Sequence, residues 1–409
     1  MKDESLLSPK EIYYILDPDI AKFDFSYFVP QHAMKPFRVE ATHELVSSLG
    51  LLPHMHVLCP PRMTMQDITL FHDRQYFLNL LEYNAHSWNW CPDSSVRFSG
   101  DCPPIEGVLD YSCAIAAGSV CGAVLINAHV ADVVIHWAGG MHHAKCGECS
   151  GFCYINDIVL AILELLRHHD RVLYLDLDAH HGDGVEEAFY TTNRVFTLSL
   201  HKFGEMFYPG TGSPLDVGVG DGEHCSLNLA LPDAITDVHY IEIFEFALRH
   251  VMDVFQPQCV VLQCGADSLA GDRVGTFNLS SIGHGCCVEM VMRLQLPTLV
   301  LGGGGYNVSN VAKLWAYETS IICGVPLPPH TPLPLDLRCD WIFFPTSTIH
   351  VPPLLHGAAA TLGVNQVVGA AKSQILRHCD LLKRKKMEEE VTREAQVVTL
   401  QQPIKEEAT

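Results

Sequence analysis

Residues Arg171 to Gly184 read RVLYLDLDAHHGDG. Within them, Asp176, Asp178 and His180 recur at a spacing of two, straight after the apolar, β-prone run Val172 to Leu175. In an extended chain, residues i, i+2 and i+4 share one face. The pattern therefore predicts two carboxylates and an imidazole converging at the carboxyl end of a buried strand. Asp-x-His on one face supplies two metal ligands. Gly182 and Gly184 are expected to let the chain turn away. The competing reading is a pair of helix-capping aspartates beside a solvated His-His. It leaves three alternating ionisable residues after an apolar strand unexplained.

Three further segments deliver polar groups just past strand-like runs. DVVIHW runs into AGGMHH and brings His142 and His143 after Gly139-Gly140. Cys259 to Gln263 runs into CGADS and brings Asp267, and Pro297 to Leu301 runs into GGGGY and brings Tyr306. Ligands of open parallel sheets bind outside the carboxyl ends of the strands. Asp178, His180 and Asp267 supply three metal ligands and leave room for water and a substrate carbonyl. His142 or His143 alone could be a satisfied core histidine. As a pair at a strand end they read as catalytic, and each needs a carboxylate to set its tautomer. Asp176 and Asp183 are available. Gly302 to Gly305 lack the Lys-Ser/Thr of a phosphate loop, so they point to close backbone approach to a crowded site. The Tyr306 phenol either packs or donates to a developing oxyanion. Metal, base and oxyanion donor together describe metal-assisted hydrolysis of a carbonyl compound.

The elements that must position these groups alternate along the chain. Strands are expected over 12–16, 132–137, 172–175, 194–200, 259–263 and 297–301. Helices are expected over 37–49, 65–81, 112–127, 155–168, 239–255, 282–294 and 308–323. Alternation of this kind implies an α/β fold, one parallel sheet with helices on both faces. Residues 84–104 read as a long polar loop, and the proline-rich 325–356 wraps the domain without regular structure. Val364 to Leu382 reads as a terminal helix. Residues 383–409 are charged, with no packed face, and are expected to be disordered.

The 409 residues are 48% hydrophobic and 18% charged, an ordinary globular composition. No run of 18 apolar residues is seen, so no membrane span is expected. MKDESLLSPK lacks the apolar segment of a secretory signal. The 16 cysteines show no disulfide framework and read as reduced intracellular thiols. Cys146, Cys149 and Cys153 stand closer together and are open to a metal or redox reading. A net charge of −21 argues against direct nucleic-acid binding and suits a basic partner or substrate. Solubility alone explains it equally well.

HWAGGMHHAKCGECSGFCYINDI, YLDLDAHHGDG, FYPGTG, LQCGADSLAGDR and GGGGYNVSNVAKLWAYETS resemble the zinc-dependent histone deacetylases. The FCYINDI and HHGDG forms resemble class I. The resemblance covers residues 12–323. It implies an arginase/deacetylase fold in one catalytic domain, 1–382, with a wrapping segment over 325–382 and a tail over 383–409. The implied activity is hydrolysis of acetyl-lysine on histone tails or other proteins, with Zn2+ on Asp178, His180 and Asp267. His143 is implied as general base and acid beside His142, supported by Asp183 and Asp176, with Tyr306 polarising the acetyl carbonyl. The substrate tunnel is implied to be walled by Gly151, Phe152 and Tyr208, with Gly304 also at the substrate. Asp101 is implied to hold the substrate backbone at the rim, and Arg38 matches an arginine that lies behind the site in the family. Structural K+ or Na+ ions are implied at Asp176, Asp178, His180, Ser199 and Leu200, and at Phe189, Thr192 and Val195.

Several positions depart from the family's pattern. Tyr208 stands where Phe is usual, Val274 where Leu or Met is usual, Cys146 where a lysine is usual and Ser309 where an arginine is usual. The resemblance implies corepressor-type partners, and in some class I relatives an inositol phosphate bridges enzyme and corepressor. Here Lys35 and Arg273 match that pocket, while Ser309, Tyr27 and Gln31 do not, so independence from that ligand is expected. Rival readings are a deacetylase of acetylated polyamines and a silent scaffold in a chromatin complex. A binuclear arginase-like hydrolase would need a carboxylate where Leu269 stands. Lys383 to Lys386, KRKK, is either a weak nuclear-targeting patch or a solvated charge run. The nucleus is the expected location, with the cytoplasm open.

Overall fold

The computed structural model describes residues 10–85 and 101–328, apart from 28, 104 and 205, and also 330–334, 337, 342, 347–354 and 361–400. Eight strands form one sheet: β1 (Ile12–Ile15), β2 (His56–Leu58), β3 (Val133–His136), β4 (Val172–Asp176), β5 (Val195–Lys202), β6 (Ser226–Leu231), β7 (Cys259–Gln263) and β8 (Thr298–Leu301). Their order is β2-β1-β3-β8-β7-β4-β5-β6, and every pair is parallel. The central strands are buried along their whole length, as both faces of a parallel sheet must be.

Successive side chains of β4 separate to the two faces. Leu173 and Leu175 join the core beneath α1 (Phe37–Ser48), α7 (Asp237–Phe255), α8 (Ser281–Met292), α9 (Val308–Ile322) and α10 (Thr361–Leu400). Val172 and Tyr174 join the opposite core beneath α4 (Val108–Asn127), α5 (Asp157–Leu165) and α6 (Asp183–Phe189). The expected helices on both faces are present. Local signals start several of them: the side chains of Asn156, Ser280 and Asn307 accept backbone N–H groups at the first turns of α5, α8 and α9, satisfying donors that a helix start leaves open.

Some expectations need correction. The stretch 65–81 is two helices, α2 (Met65–Ile68) and α3 (Arg74–Ala85). Strands β2 and β6 were not expected, being short or flanked by weak turn signals. The chain does turn away from the strand at Gly182, which precedes α6 at φ −75°, while Gly184 lies inside the helix. Helix α4 is long and apolar enough to cross a membrane, with a mean hydropathy of 1.7 over its most apolar window, yet 72% of that window is buried in the core. Most of the loop expected over 84–104 lies outside the described residues.

The terminal helix is the largest departure. It continues to Leu400 instead of ending near Leu382; residues 401–409 lie outside the described residues. The basic run explains why the chain stays docked past Leu382. The Lys385 ammonium donates to the carbonyls of Gly220 (2.6 Å), Asp221 (2.8 Å) and Glu223 (3.2 Å). Lys386 donates to the carbonyls of Val254 and Phe255, where α7 ends, and lies over the Phe255 ring. Half of KRKK is thus occupied in holding α10 down, and the run is neither a free patch nor wholly solvated. Replacing Lys385 with Met keeps helix propensity and removes three charge-assisted bonds. A loss of about 1–2 kcal/mol is expected in urea unfolding, and an unchanged midpoint would show that water serves the three carbonyls as well.

Candidate active site

Strands β4, β7 and β8 lie side by side, so the segments leaving their carboxyl ends meet. The carboxylates of Asp178 and Asp267 and the ring of His180 converge there, all buried, with ligand atoms within 4.8 Å of one another. Among the described residues this is the only such cluster. His180 Nδ1 sits 3.0 Å from Asp178 Oδ1 and 2.9 Å from Asp267 Oδ2. Burial alone would depress the His180 pKa, but the two carboxylates outweigh it and lift the value to about 10. Burial and the Asp178 charge raise the Asp267 carboxyl. The cluster therefore carries more negative charge than its burial tolerates, and a small cation fits it in place of the His180 proton.

The surroundings hold these ligands by hydrogen bonds. Asp178 Oδ2 accepts from Gln263 Nε2 (2.9 Å) and from the Gly304 N–H (2.8 Å). Asp267 Oδ1 accepts from the Ala179 N–H (2.9 Å). A Cβ on Gly304 would lie 2.2 Å from Asp267 Oδ2, so the glycine run serves close approach, as expected. Behind it, Arg38 donates to the carbonyls of Gly305 (2.8 Å) and Gly303 (2.6 Å) and lies over Trp315.

Asp176 does not join the ligand trio, because β4 ends there and the chain leaves the extended path. Its Oδ2 instead pairs with His142 Nδ1 at 2.9 Å, while Asp183 Oδ1 pairs with His143 Nδ1 at 2.7 Å. The two imidazoles are 3.9 Å apart between centroids, and their environments differ. Burial lowers the pKa of His142, but Asp176 and Asp178 raise it to about 9. Burial and the neighbouring His142 charge bring His143 down to about 4 despite Asp183. Diverging values in adjacent groups separate a proton acceptor from a charged neighbour. Tyr306 is buried against Phe152, centroids 5.5 Å apart, and burial followed by Asp267 raises its phenol well above the usual range, so it keeps its proton.

The expected wall residues lie around this centre. Tyr208 packs edge-on to His143 at 4.9 Å. The Asp101 carboxylate accepts the Gly151 N–H at 2.9 Å. Asp176 pairs in register with Ser199, one residue before Leu200 on β5. Phe189, Thr192 and Val195 span the turn from α6 to β5, where the Thr192 N–H donates to the Phe189 carbonyl. The three cysteines do not form a metal cluster: Cys149 and Cys153 are buried, and Cys146 donates to the Phe71 carbonyl.

Four contributors had no role assigned from sequence. Lys145 pairs with Asp183 at 2.9 Å. Asp157 accepts the N–H groups of Gly140 and Met141 and so fixes the turn before His142. Gln263 holds Asp178, and Asp272 accepts the Tyr306 N–H at 2.8 Å. All four stand inside the motif strings, but no spacing rule marks them, because each acts across the fold.

Three residues that could hold a cation, with two carboxylate-paired imidazoles and a phenol beside them at the carboxyl edge of a parallel sheet, are the arrangement that metal-assisted hydrolysis needs. Comparison with known proteins narrows this. The histone deacetylase domain profile matches residues 32–322. The chain is 44% identical to probable histone deacetylase 1-A of Xenopus laevis, over 85% of this chain and 72% of that one. It is 46% identical to histone deacetylase 19 of Arabidopsis thaliana, over 84% and 68%. It is 44% identical to histone deacetylase 1 of Homo sapiens, over 84% and 70%. The chain belongs to the histone deacetylase family, on its class I branch, and is a hydrolase with the arginase/deacetylase fold.

Because His180 must give up a proton to bind metal, zinc binding to chelator-stripped protein is expected to release at least one proton and to tighten as pH rises. Calorimetry in two buffers of different ionisation enthalpy reads both. Asp178→Asn and Asp267→Asn should abolish the binding heat. Binding that is independent of pH, or that survives in both variants, would sink the assignment of the cluster.

Proposed function

We propose that this chain is a zinc-dependent protein lysine deacetylase that hydrolyses N6-acetyl-lysine on histone tails, with Asp178, His180 and Asp267 as the zinc ligands. The observation that carries the reading is the buried trio Asp178, His180 and Asp267 with the His142–Asp176 and His143–Asp183 pairs beside it. When bound, zinc supplies Lewis-acid polarisation of the acetyl carbonyl and lowers the pKa of water. His143 is neutral at working pH, and its Nδ1–H donates to Asp183, which leaves Nε2 free to take a proton from the attacking water. His143 then returns that proton to the leaving lysine amine. His142, paired with Asp176, places positive charge beside the site where negative charge develops. The Tyr306 hydroxyl donates to the oxygen of the acetyl group as it gains charge. Gly151, Phe152, Tyr208 and Gly304 line the approach for the lysine stem, and Asp101 serves the substrate backbone at the rim.

The one catalytic domain is 1–382 together with the docked part of α10. Structural K+ or Na+ ions bind at Asp176, Asp178, His180, Ser199 and Leu200, and at Phe189, Thr192 and Val195; the Asp176–Ser199 register supports the first group. The acidic charge suits acetylated histone tails and other acetyl-lysine proteins, with corepressor-type partners, in the nucleus; no nucleic acid or membrane is engaged directly.

Two measurements test this reading. Tyr306→Phe should retain zinc and fold while kcat on an acetyl-lysine peptide falls about 10²-fold, the usual loss of one oxyanion donor; an unchanged rate would mean that Tyr306 only packs. Inositol polyphosphate should neither bind tightly nor activate. Arg273 and Gln31 are exposed and Lys35 donates to Ser26, but Ser309 offers no charge, and a missing charge-assisted bond weakens affinity about ten- to a hundredfold. Micromolar or tighter binding with activation would reverse the expectation.

A further inference from the structure

His136 ends β3, Ser119 stands on α4, and the two are linked to Asp157 at the start of α5. All three side chains are buried. The Ser119 hydroxyl donates to Asp157 Oδ2 (2.5 Å) and sits 3.0 Å from His136 Nδ1. A hydroxyl has one proton to give. Given to the carboxylate, it leaves the Ser119 oxygen to accept from His136, so His136 carries its proton on Nδ1. Two observations agree. Burial brings the His136 pKa down to about 3, so the ring is neutral with a single N–H. His136 Nε2 meets no partner among the described residues, so an N–H there would go unused.

The packing is built around this chain of bonds. A Cβ on Gly118 would lie 2.2 Å from His136 Cε1, and one on Gly139 would lie 2.6 Å from Ser119 Oγ and 2.7 Å from Asp157 Oδ2. Asp157 passes the restraint on to the backbone. Its Oδ2 also accepts the Gly140 N–H (3.0 Å), and its Oδ1 accepts the Met141 N–H (2.8 Å). From the other side, a Cβ on Gly140 would lie 2.6 Å from the Gly302 carbonyl, so the turn is held between Asp157 and the glycine run. His142 follows at once, and its N–H donates to the Gly140 carbonyl (3.0 Å). Burial pushes the Asp157 carboxyl up, and the bonds from Ser119, Gly140 and Met141 oppose that. A buried carboxylate deprived of one of these donors must shift or take a proton. Either change loosens its hold on Gly140 and Met141.

We propose that His136 and Ser119 are positioning residues for the reaction: they orient Asp157 and, through it, the turn that delivers His142 and His143. The proposal rests on the deacetylase reading. His136 acts through Ser119, and Ser119 acts through Asp157. The turn at 139–141 is separate from Gly151, Phe152 and Tyr208, which line the approach for the lysine stem. A looser turn therefore misplaces the imidazoles and leaves substrate binding as it was. Misplacement of a catalytic group by about 1 Å costs about 10²-fold in rate, so a partial loosening is readable in kcat.

The test uses the full zinc-loaded chain as wild type, Ser119→Ala, His136→Leu, His136→Asn and the Ala/Leu double variant, with the zinc content of each measured. Leucine fills the first branch of the ring without a donor, whereas asparagine keeps an amide N–H where Nδ1 stands. On an acetyl-lysine peptide, kcat is expected to fall about three- to tenfold in Ser119→Ala and in His136→Leu, the worth of one hydrogen bond. KM should stay within about twofold of wild type. The double variant should fall no further than Ser119→Ala, and His136→Asn should recover most of the loss. An unchanged kcat in Ser119→Ala at full zinc, losses that multiply in the double variant, or an Asn variant as slow as the Leu variant would overturn the positioning role. So would a lowered thermal midpoint with kcat intact, the result that packing alone predicts. Hydrogen exchange at the Gly140 and Met141 amides needs no turnover: it should quicken about three- to tenfold in Ser119→Ala, and unchanged exchange would overturn the chain of contacts itself. A zinc-bound wild type inactive on the peptide would instead overturn the deacetylase reading, and the catalytic role of the chain with it.

Discussion

Two carboxylates and an imidazole are buried at one point, and the remainder of the fold makes that tolerable. Asp178 and Asp267 are 1% and 0% exposed, a placement that unpaired charge does not survive. Their oxygens are met by Gln263, by the backbone N–H groups of Gly304, Ala179 and His180, and by His180 Nδ1. These donors come from the ends of three adjacent strands. The order β8-β7-β4 at the centre of the sheet is therefore a chemical requirement as well as a topological fact. Shifting any of the three strands in register would leave a buried carboxylate without donors.

The same economy separates four aspartates of one chemical type into different roles. Asp178 and Asp267 share His180, whereas Asp176 and Asp183 each take one imidazole. Lys145 gives Asp183 a cationic partner beside His143, and Asp183 is held well below the usual carboxylate range, burial being outweighed by the bonds to His143 and Lys145. Behind them, Trp137 and Trp315 stack at 5.4 Å with both indole N–H groups bonded. That packed layer fixes the glycine run from below, so the backbone reaching Asp178 and Asp267 has little freedom. Rigid support of this kind is what a catalytic constellation needs in order to keep its geometry.

Away from the site, α10 shows how charge can serve packing. Its lysines donate to carbonyls at the end of α7 and in the 220–223 turn. A stem of four methylenes lies along the surface while the ammonium finds its acceptors. A charged segment thus belongs to the folded body without having an apolar face.

The alternation of apolar runs and helical spacings was enough to specify a parallel α/β sheet, since burial on both faces leaves a near-continuous apolar strand that is visible residue by residue. The polar groups past four strand ends were legible for the same reason: strand ends in such sheets converge. Asp178, His180, Asp267, His142, His143 and Tyr306 are all singled out this way, and the fold brings them together. What the sequence did not determine was which partner each group takes. The spacing of two put Asp176 on the same face as Asp178, yet β4 stops at Asp176 and its carboxylate turns to His142. Asp157, Gln263 and Asp272 act on residues 16 to 85 positions away, and no local period encodes such contacts. Hydropathy does not register lysines whose ammonium groups are bonded to backbone carbonyls 131 to 165 residues distant, which is why the extension of α10 is not legible in the sequence. Local pattern reports burial; hydrogen-bond partnership is settled only when distant segments meet.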